Sequence, residues 1–208
     1  MNEKKEKFED YVKRGIIPIT EDIGPELRDL VQAGLSDLYL DRVEHILVIF
    51  SSDGGDADVC LEIHDYIKSY PGHVTGLVVG RAFSAAAIVL QACHKRYATR
   101  NSRVLIHHGT VGVETDTMFN KKQLKELVRS LANQETYFYE ILHQRTRKSI
   151  EEVKKQCERD EEMLITEAID FGLLDAVWTG PVPWEPVEHL RTLYTDENQD
   201  EVIHNPNE

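Results

Sequence analysis

Val74-Thr75-Gly76-Leu77-Val78-Val79-Gly80-Arg81-Ala82-Phe83-Ser84-Ala85-Ala86-Ala87 is the stretch whose reading decides the fold. Its first half is apolar and rich in valine, the composition of a strand, and its second half opens on glycine and runs into alanines that suit a helix. A strand that turns abruptly into a helix presents the residue at the corner, Ser84, to a cleft instead of burying it on a flank of either element. The helix start behind it offers backbone N–H groups to an oxyanion. Ser84 is therefore a candidate nucleophile. Serine is also a preferred N-cap residue, so on this stretch alone a plain cap is the more economical reading.

The chain before the corner carries the same pattern. Residues 45–50, His-Ile-Leu-Val-Ile-Phe, form a continuous apolar run, the signature of a strand buried on both faces, and empty into Ser51-Ser52-Asp53-Gly54-Gly55. Residues 56–69 resume helical spacing with Val59, Cys60, Ile63 and Ile67 on one side, and Tyr70-Pro71-Gly72 ends them. Upstream, residues 15–19 read as a short edge strand containing Pro18, followed by a helix expected to start at Thr20-Glu21-Asp22 with Ile23, Leu27, Val31, Leu35 and Leu38 as its stripe. After the corner, a helix to about residue 92 precedes a strand at residues 104–107. Strands alternating with helices predict right-handed crossovers and a mostly parallel sheet, with functional groups at the carboxyl ends of the strands. The loop at residues 52–55, Ser84 and His107 all fall at such ends.

Further on, residues 121–146 predict one long helix with Leu124, Leu127, Val128, Leu131, Phe138, Ile141 and Leu142 as its stripe. Its aromatic cluster, residues 137–139, suits either a protein contact or an internal face. Residues 150–157 form a shorter helix before the charge run Glu158-Arg159-Asp160-Glu161-Glu162, and a capped helix stops at Gly172. We expect a charged lead at residues 1–13, one domain at residues 14–180, and an extended segment with an acidic, disordered tail at residues 181–208. With 37 acidic against 24 basic residues the net charge is −13, which disfavours nucleic acid. Cys60, Cys93 and Cys157 form no C-x-x-C pair, so buried reduced thiols are expected in place of disulfides or a cysteine zinc site. The run of residues 1–14 has no apolar stretch of a leader and no segment is long enough to span a bilayer, so a cytoplasmic protein without a membrane partner is expected.

Five segments in order resemble the signatures of the Clp protease proteolytic subunit family: residues 50–55 (Phe-Ser-Ser-Asp-Gly-Gly), 80–85 (Gly-Arg-Ala-Phe-Ser-Ala), 101–107 (Asn-Ser-Arg-Val-Leu-Ile-His), 158–160 (Glu-Arg-Asp) and 167–175 (Glu-Ala-Ile-Asp-Phe-Gly-Leu-Leu-Asp). The resemblance covers most of residues 14–177 and implies an α/β, crotonase-like β/α superhelix with a long projecting handle helix, here residues 121–146. It further implies a serine endopeptidase that cleaves peptides or unfolded proteins inside a homo-oligomeric ring or stacked rings, without cofactor or metal. Carried over by position, Ser84 is the nucleophile, His107 the general base and Asp160 the group that orients it. The N–H groups of Gly55 and Ala85 form the oxyanion hole, and Arg159 makes contacts between rings. A hydroxyl needs a base to take its proton, and the base needs a carboxylate to fix its tautomer.

The family's pattern has proline where Asp53 stands, Ser-Met-Gly where residues 84–86 are Ser-Ala-Ala, and Gln-Pro where His107 is followed by His108-Gly109. About fourteen residues precede the first strand, so the family's N-terminal pore loop is expected to be short or absent, which leaves an AAA+ unfoldase partner open. Glu161 and Asp116 are substitutes for Asp160 as the third group. Adjacent histidines on a strand point to opposite faces, so His107 and His108 are not expected to share a metal ion. The alternative to an enzyme is a non-catalytic ring or scaffold subunit that keeps the fold for assembly; acyl-CoA chemistry on the same fold is a more distant third.

Overall fold

The computed structural model describes residues 2–110 and 120–182. In chain order these form α1 (Asn2–Val12), β1 (Ile16–Ile19), α2 (Pro25–Leu40), β2 (His45–Ser52), α3 (Ala57–Ser69), β3 (His73–Phe83), α4 (Ala85–Leu90), β4 (Lys95–Thr99) and β5 (Arg103–Leu105). They continue with α5 (Lys121–Thr146), α6 (Ile150–Cys157), β6 (Met163–Leu164), α7 (Ile165–Phe171) and β7 (Ala176–Trp178). The sheet runs β1-β2-β3-β4-β7, all parallel, while β5 pairs parallel with the far end of β3 and β6 pairs antiparallel with β5.

The apolar run of β2 follows from burial on both sides. Ile46, Val48 and Phe50 join the main core under α2 and α3, and the alternate residues Leu47 and Ile49 form a smaller cluster with Ile16 and Leu77 on the opposite face. α4 lies close on β3 because residue 76 is glycine: a Cβ there would stand 2.6 Å from Leu90 Cδ1 and 2.9 Å from Cys93 Sγ.

β3 has two partners in succession. Residues 75–78 pair with β4 and residues 81–83 with β5. At the change of partner Gly80 takes φ 95°, and the buried Ser102 hydroxyl fills the gap, accepting from Gly80 N–H (3.0 Å) and donating to Val78 O (3.0 Å).

Several elements differ from the sequence expectation, among them β5, which spans Arg103–Leu105 instead of 104–107, and the unexpected short strands β6 and β7. The charged lead is helical, because Phe8 and Val12 bury themselves against α2, where Gly34 leaves room for them. α2 begins at Pro25, since Ile23 is taken up in a parallel bridge with Gly55 and proline suits a first helical turn. β4, absent from the expectation, is polar in sequence because Arg96 is buried through hydrogen bonds: its guanidinium meets Asp175 Oδ1 (2.6 Å) and Oδ2 (3.2 Å), Gln91 Oε1 (2.6 Å) and Gly172 O (2.9 Å). The long helix spans the expected 121–146, but its first half leaves Leu124 and Val128 exposed. Of the extended segment and tail expected at residues 181–208, residues 183–208 lie outside the described residues.

Two outcomes are expected. Arg96→Met strands the Asp175 carboxylate, which is 31% exposed, so urea unfolding should show a loss of about 2 kcal/mol, less than for a fully buried pair. At the amino ends of the strands the rings of His45, His73 and His94 form a row, with centroids 5.7 and 4.9 Å apart. Burial first, then His94, His45 and Lys95, holds His73 below the ordinary histidine range; burial, then Lys68 and Arg145, does the same for His94. Burial also lowers His64, against the opposing pull of Asp65. His64, His73 and His94 bind protons more weakly folded than unfolded, so they do not affect stability above a pH of about 6.5 and destabilise the fold progressively below it. The melting temperature should fall between pH 7 and pH 5, and fall less in His73→Gln.

Candidate active site

Ser84 stands between β3 and α4 with φ 54° and ψ −123°, a conformation that costs a non-glycine residue on the order of 1–3 kcal/mol. Its N–H is held by Leu105 O of β5 (2.9 Å). It occupies the N-cap position, yet its side chain makes no capping hydrogen bond. The plain-cap reading therefore fails on the one interaction that defines a cap, and the hydroxyl is left for other use.

Beyond β5 the chain is no longer strand, and Ile106, His107, His108 and Gly109 line a cavity together with Ser84. Ser84 and His107 line one cavity of about 20 Å³ with Ile88, Phe138, Leu142 and Cys157 among its walls. That is room for about one water. His107 is 19% exposed, and its Nδ1 lies 3.8 Å from Asp160 Oδ1, an ion-pair separation beyond hydrogen-bond reach. Asp160, 70% exposed, adopts φ 49°, a left-handed conformation that aspartate tolerates better than most residues. Arg159 beside it is exposed, and Asp116 lies outside the described residues.

The loop after β2 closes the other side. Gly54 has φ 107° and Gly55 φ 146°, so both positions need glycine. A Cβ on Gly54 would lie 2.8 Å from Ser84 Cβ and 3.0 Å from Ala85 N, which places the loop directly on the corner. Gly54 O accepts from Ile23 N–H (2.7 Å) and Ile23 O from Asp56 N–H (2.8 Å), so the N–H of Gly55, between them, is not used in this bridge. Ala85 opens α4, so no carbonyl of that helix can receive its N–H.

Sequence reasoning missed the polar wall. His108 also borders the cavity: the strand ends before it, and the two neighbouring histidines are not on opposite faces. Its Nδ1 is hydrogen-bonded to Tyr139 OH (2.6 Å) and lies 3.6 Å from Glu135 Oε1, which accepts from Gly109 N–H (3.0 Å). Burial, then the Glu135 charge, raises the Tyr139 phenol above its ordinary range. Burial pushes the Cys157 thiol up to about 12, so the sulfur lining the cavity stays protonated at neutral pH. The aromatic spacing of residues 137–139 was the available signal, but it could not tell an outer face from a cavity wall.

These features define a parallel α/β domain with a serine and a histidine facing one cleft, and a glycine loop packed on the serine corner. A model of the Clp protease family matches residues 2–181. The chloroplastic ATP-dependent Clp protease proteolytic subunit 4 of Arabidopsis thaliana is 31% identical over 174 residues, 79% of this chain, and the chain spans 58% of that relative's length. The chain belongs to the Clp protease family.

Gly55→Ala would set its Cβ 2.3 Å from Ile23 O. A loss of about 2–3 kcal/mol is expected in denaturant unfolding, because backbone and not a flexible side chain must give way.

Proposed function

We propose that the chain is the peptidase part of a ring-forming assembly, a serine endopeptidase with the crotonase-like superhelix and handle helix of its family. The observation that carries this reading is Ser84: a strained corner residue with an uncommitted hydroxyl, sharing a cavity with an imidazole. Strain of this kind persists where the surrounding structure imposes it, and it gathers at reacting groups.

In this reading Ser84 Oγ attacks the scissile carbonyl while His107 Nε2 takes its proton. Asp160, on the Nδ1 side, holds the tautomer and stabilises the imidazolium that forms. The N–H groups of Gly55 and Ala85 donate to the developing oxyanion. His107 then protonates the leaving amine, and water releases the acyl group by the same steps in reverse order. The exposed Leu124 and Val128 on α5 fit a helix covered by another subunit, and α5 takes the place of the family's handle. Peptides and unfolded segments are the substrates of this reading, and the cavity of about 20 Å³ must widen to take them.

A non-catalytic assembly subunit is the second reading. It is favoured by the 3.8 Å gap between His107 and Asp160 and by the small cavity. Hydrogen bonds of a catalytic site often tighten only when substrate is bound, so the gap weighs less than the Ser84 geometry.

A fluorophosphonate should label wild-type protein at Ser84 and leave Ser84→Ala unlabelled, as read by intact-mass spectrometry. An assembled, unlabelled wild type would establish the scaffold reading instead. Asp160→Asn should lower kcat for peptide cleavage by at least about 100-fold while assembly, followed by light scattering, is unchanged.

A further inference from the structure

The two amides assigned to the oxyanion sit on segments anchored in different directions. The loop bearing Gly55 is tied towards the start of α2: Ser52 Oγ donates to Glu21 O (2.6 Å), and the backbone bridge joins residues 54–56 to Ile23. The corner bearing Ala85 is tied to β5 through Ser84 N–H and Leu105 O. The last backbone pairing between β2 and β3 is Ser52 with Ala82, just after a register shift. Beside that point, among the described residues, one pair of side chains bonds the glycine loop to the strand that delivers Ser84. Arg81 Nε lies 2.6 Å from Asp53 Oδ1 and Arg81 Nη2 donates to Asp53 Oδ2 at 2.8 Å, a two-pronged fork.

Resting on the peptidase reading, we propose that the Asp53–Arg81 fork is a positioning device that sets the Gly55 N–H at its distance from the Ala85 N–H. Asp53 immediately precedes the glycine pair, and Arg81 lies three residues before Ser84. Both fork residues are about half exposed, 58% and 51%, so the pair adds little to global stability. Its effect is directional. Two parallel bonds fix the plane of the carboxylate and with it the backbone entering Gly54, whereas a single contact would leave that backbone free to rotate. A proline at this position would restrict the same backbone by closing a ring on it. Here a cross-strand ion pair does so, on the side of the loop that the bonds to Glu21 and Ile23 do not reach.

The test compares wild type with Arg81→Gln, Asp53→Asn, the conservative Arg81→Lys, and the swap of Asp53→Arg with Arg81→Asp. Acylation of Ser84 by a fluorophosphonate, steady-state peptide cleavage, melting temperature, and hydrogen–deuterium exchange of residues 52–56 are measured. The expected result is a roughly tenfold fall in acylation rate and kcat for Arg81→Gln and Asp53→Asn with KM unchanged, since an oxyanion donor acts in the transition state. Arg81→Lys, which keeps the charge but not the fork, should fall about threefold. The swap should recover at least half of the lost rate. Exchange of residues 52–56 should quicken in the single variants while the melting temperature stays within about 3 °C. Wild-type labelling with variants that acylate at the wild-type rate and exchange alike overturns this inference and leaves the peptidase reading standing. No labelling of wild-type Ser84 overturns both.

Discussion

The site depends on the change of partner along β3. A strand that kept β4 beside it to its end would present a uniform edge there, and the chain after Ser102 could not lie next to Ser84. Gly80, by taking a left-handed conformation, bends β3 out of register with β4 after Val78, and the Ser102 hydroxyl takes up the Val78 carbonyl and the Gly80 N–H that the bend would otherwise strand. β5 then enters alongside residues 81–83, and its Leu105 carbonyl fixes the Ser84 N–H. The nucleophile candidate and the histidine two residues beyond Leu105 are thus brought together by backbone pairing, before any side-chain contact is made.

Local strain around the cleft is supported by rigidity beneath it. Ser84, Asp160, Gly54 and Gly55 all have positive φ; a Cβ on Gly54 would meet Ser84 Cβ, and Asp160 stands 3.8 Å from His107. The strands that carry the glycine loop and Ser84, β2 and β3, have deeply buried centres, with Val48, Phe50, Val74, Leu77 and Val78 at 0% exposure. Such elements open only with the whole domain, so they can hold a few unfavourable torsions that a flexible scaffold would relax. The single-residue consequences then differ by kind. A Cβ on Gly55 meets backbone and disturbs the fold, whereas a change at the exposed fork of Asp53 and Arg81 alters aim more than stability.

Much of this was legible in the sequence because the buried parallel strands announce themselves by apolar content. β2, β3, the helix from 57 to 69, the long helix and the stop at Gly172 all stand where residue pattern placed them. Most of what escaped is burial or conformation achieved by polar groups, with α1 the exception. β4 was hidden because Arg96 is satisfied by Asp175, 79 residues away, and a linear reading sees only a basic, polar stretch. α1 was hidden because two apolar residues suffice when Gly34 opposite makes the socket. At the site, Ser84 was singled out from its place between strand and helix, but the absence of a cap bond, which speaks against the plain-cap reading, exists only in three dimensions. The wall of His108, Glu135 and Tyr139 was missed for a related reason: the alternation rule for strands was carried past Leu105, where the strand ends.

That wall also determines how the cleft can open. A helix of 26 residues is about 39 Å long, and α5 commits only its last turns to the domain, with Tyr139, Leu142 and Thr146 buried. Glu135, Phe138, Tyr139 and Leu142 face the cavity from that anchored end, while Leu124 and Val128 stay uncovered near the start. A cavity of about 20 Å³ cannot take a peptide side chain, so substrate entry on the proposed reading requires this wall to move. The Glu135–Gly109 and His108–Tyr139 bonds tie this wall to the segment that carries His107, so the anchored end of α5 and that segment form one hydrogen-bonded unit beside Ser84.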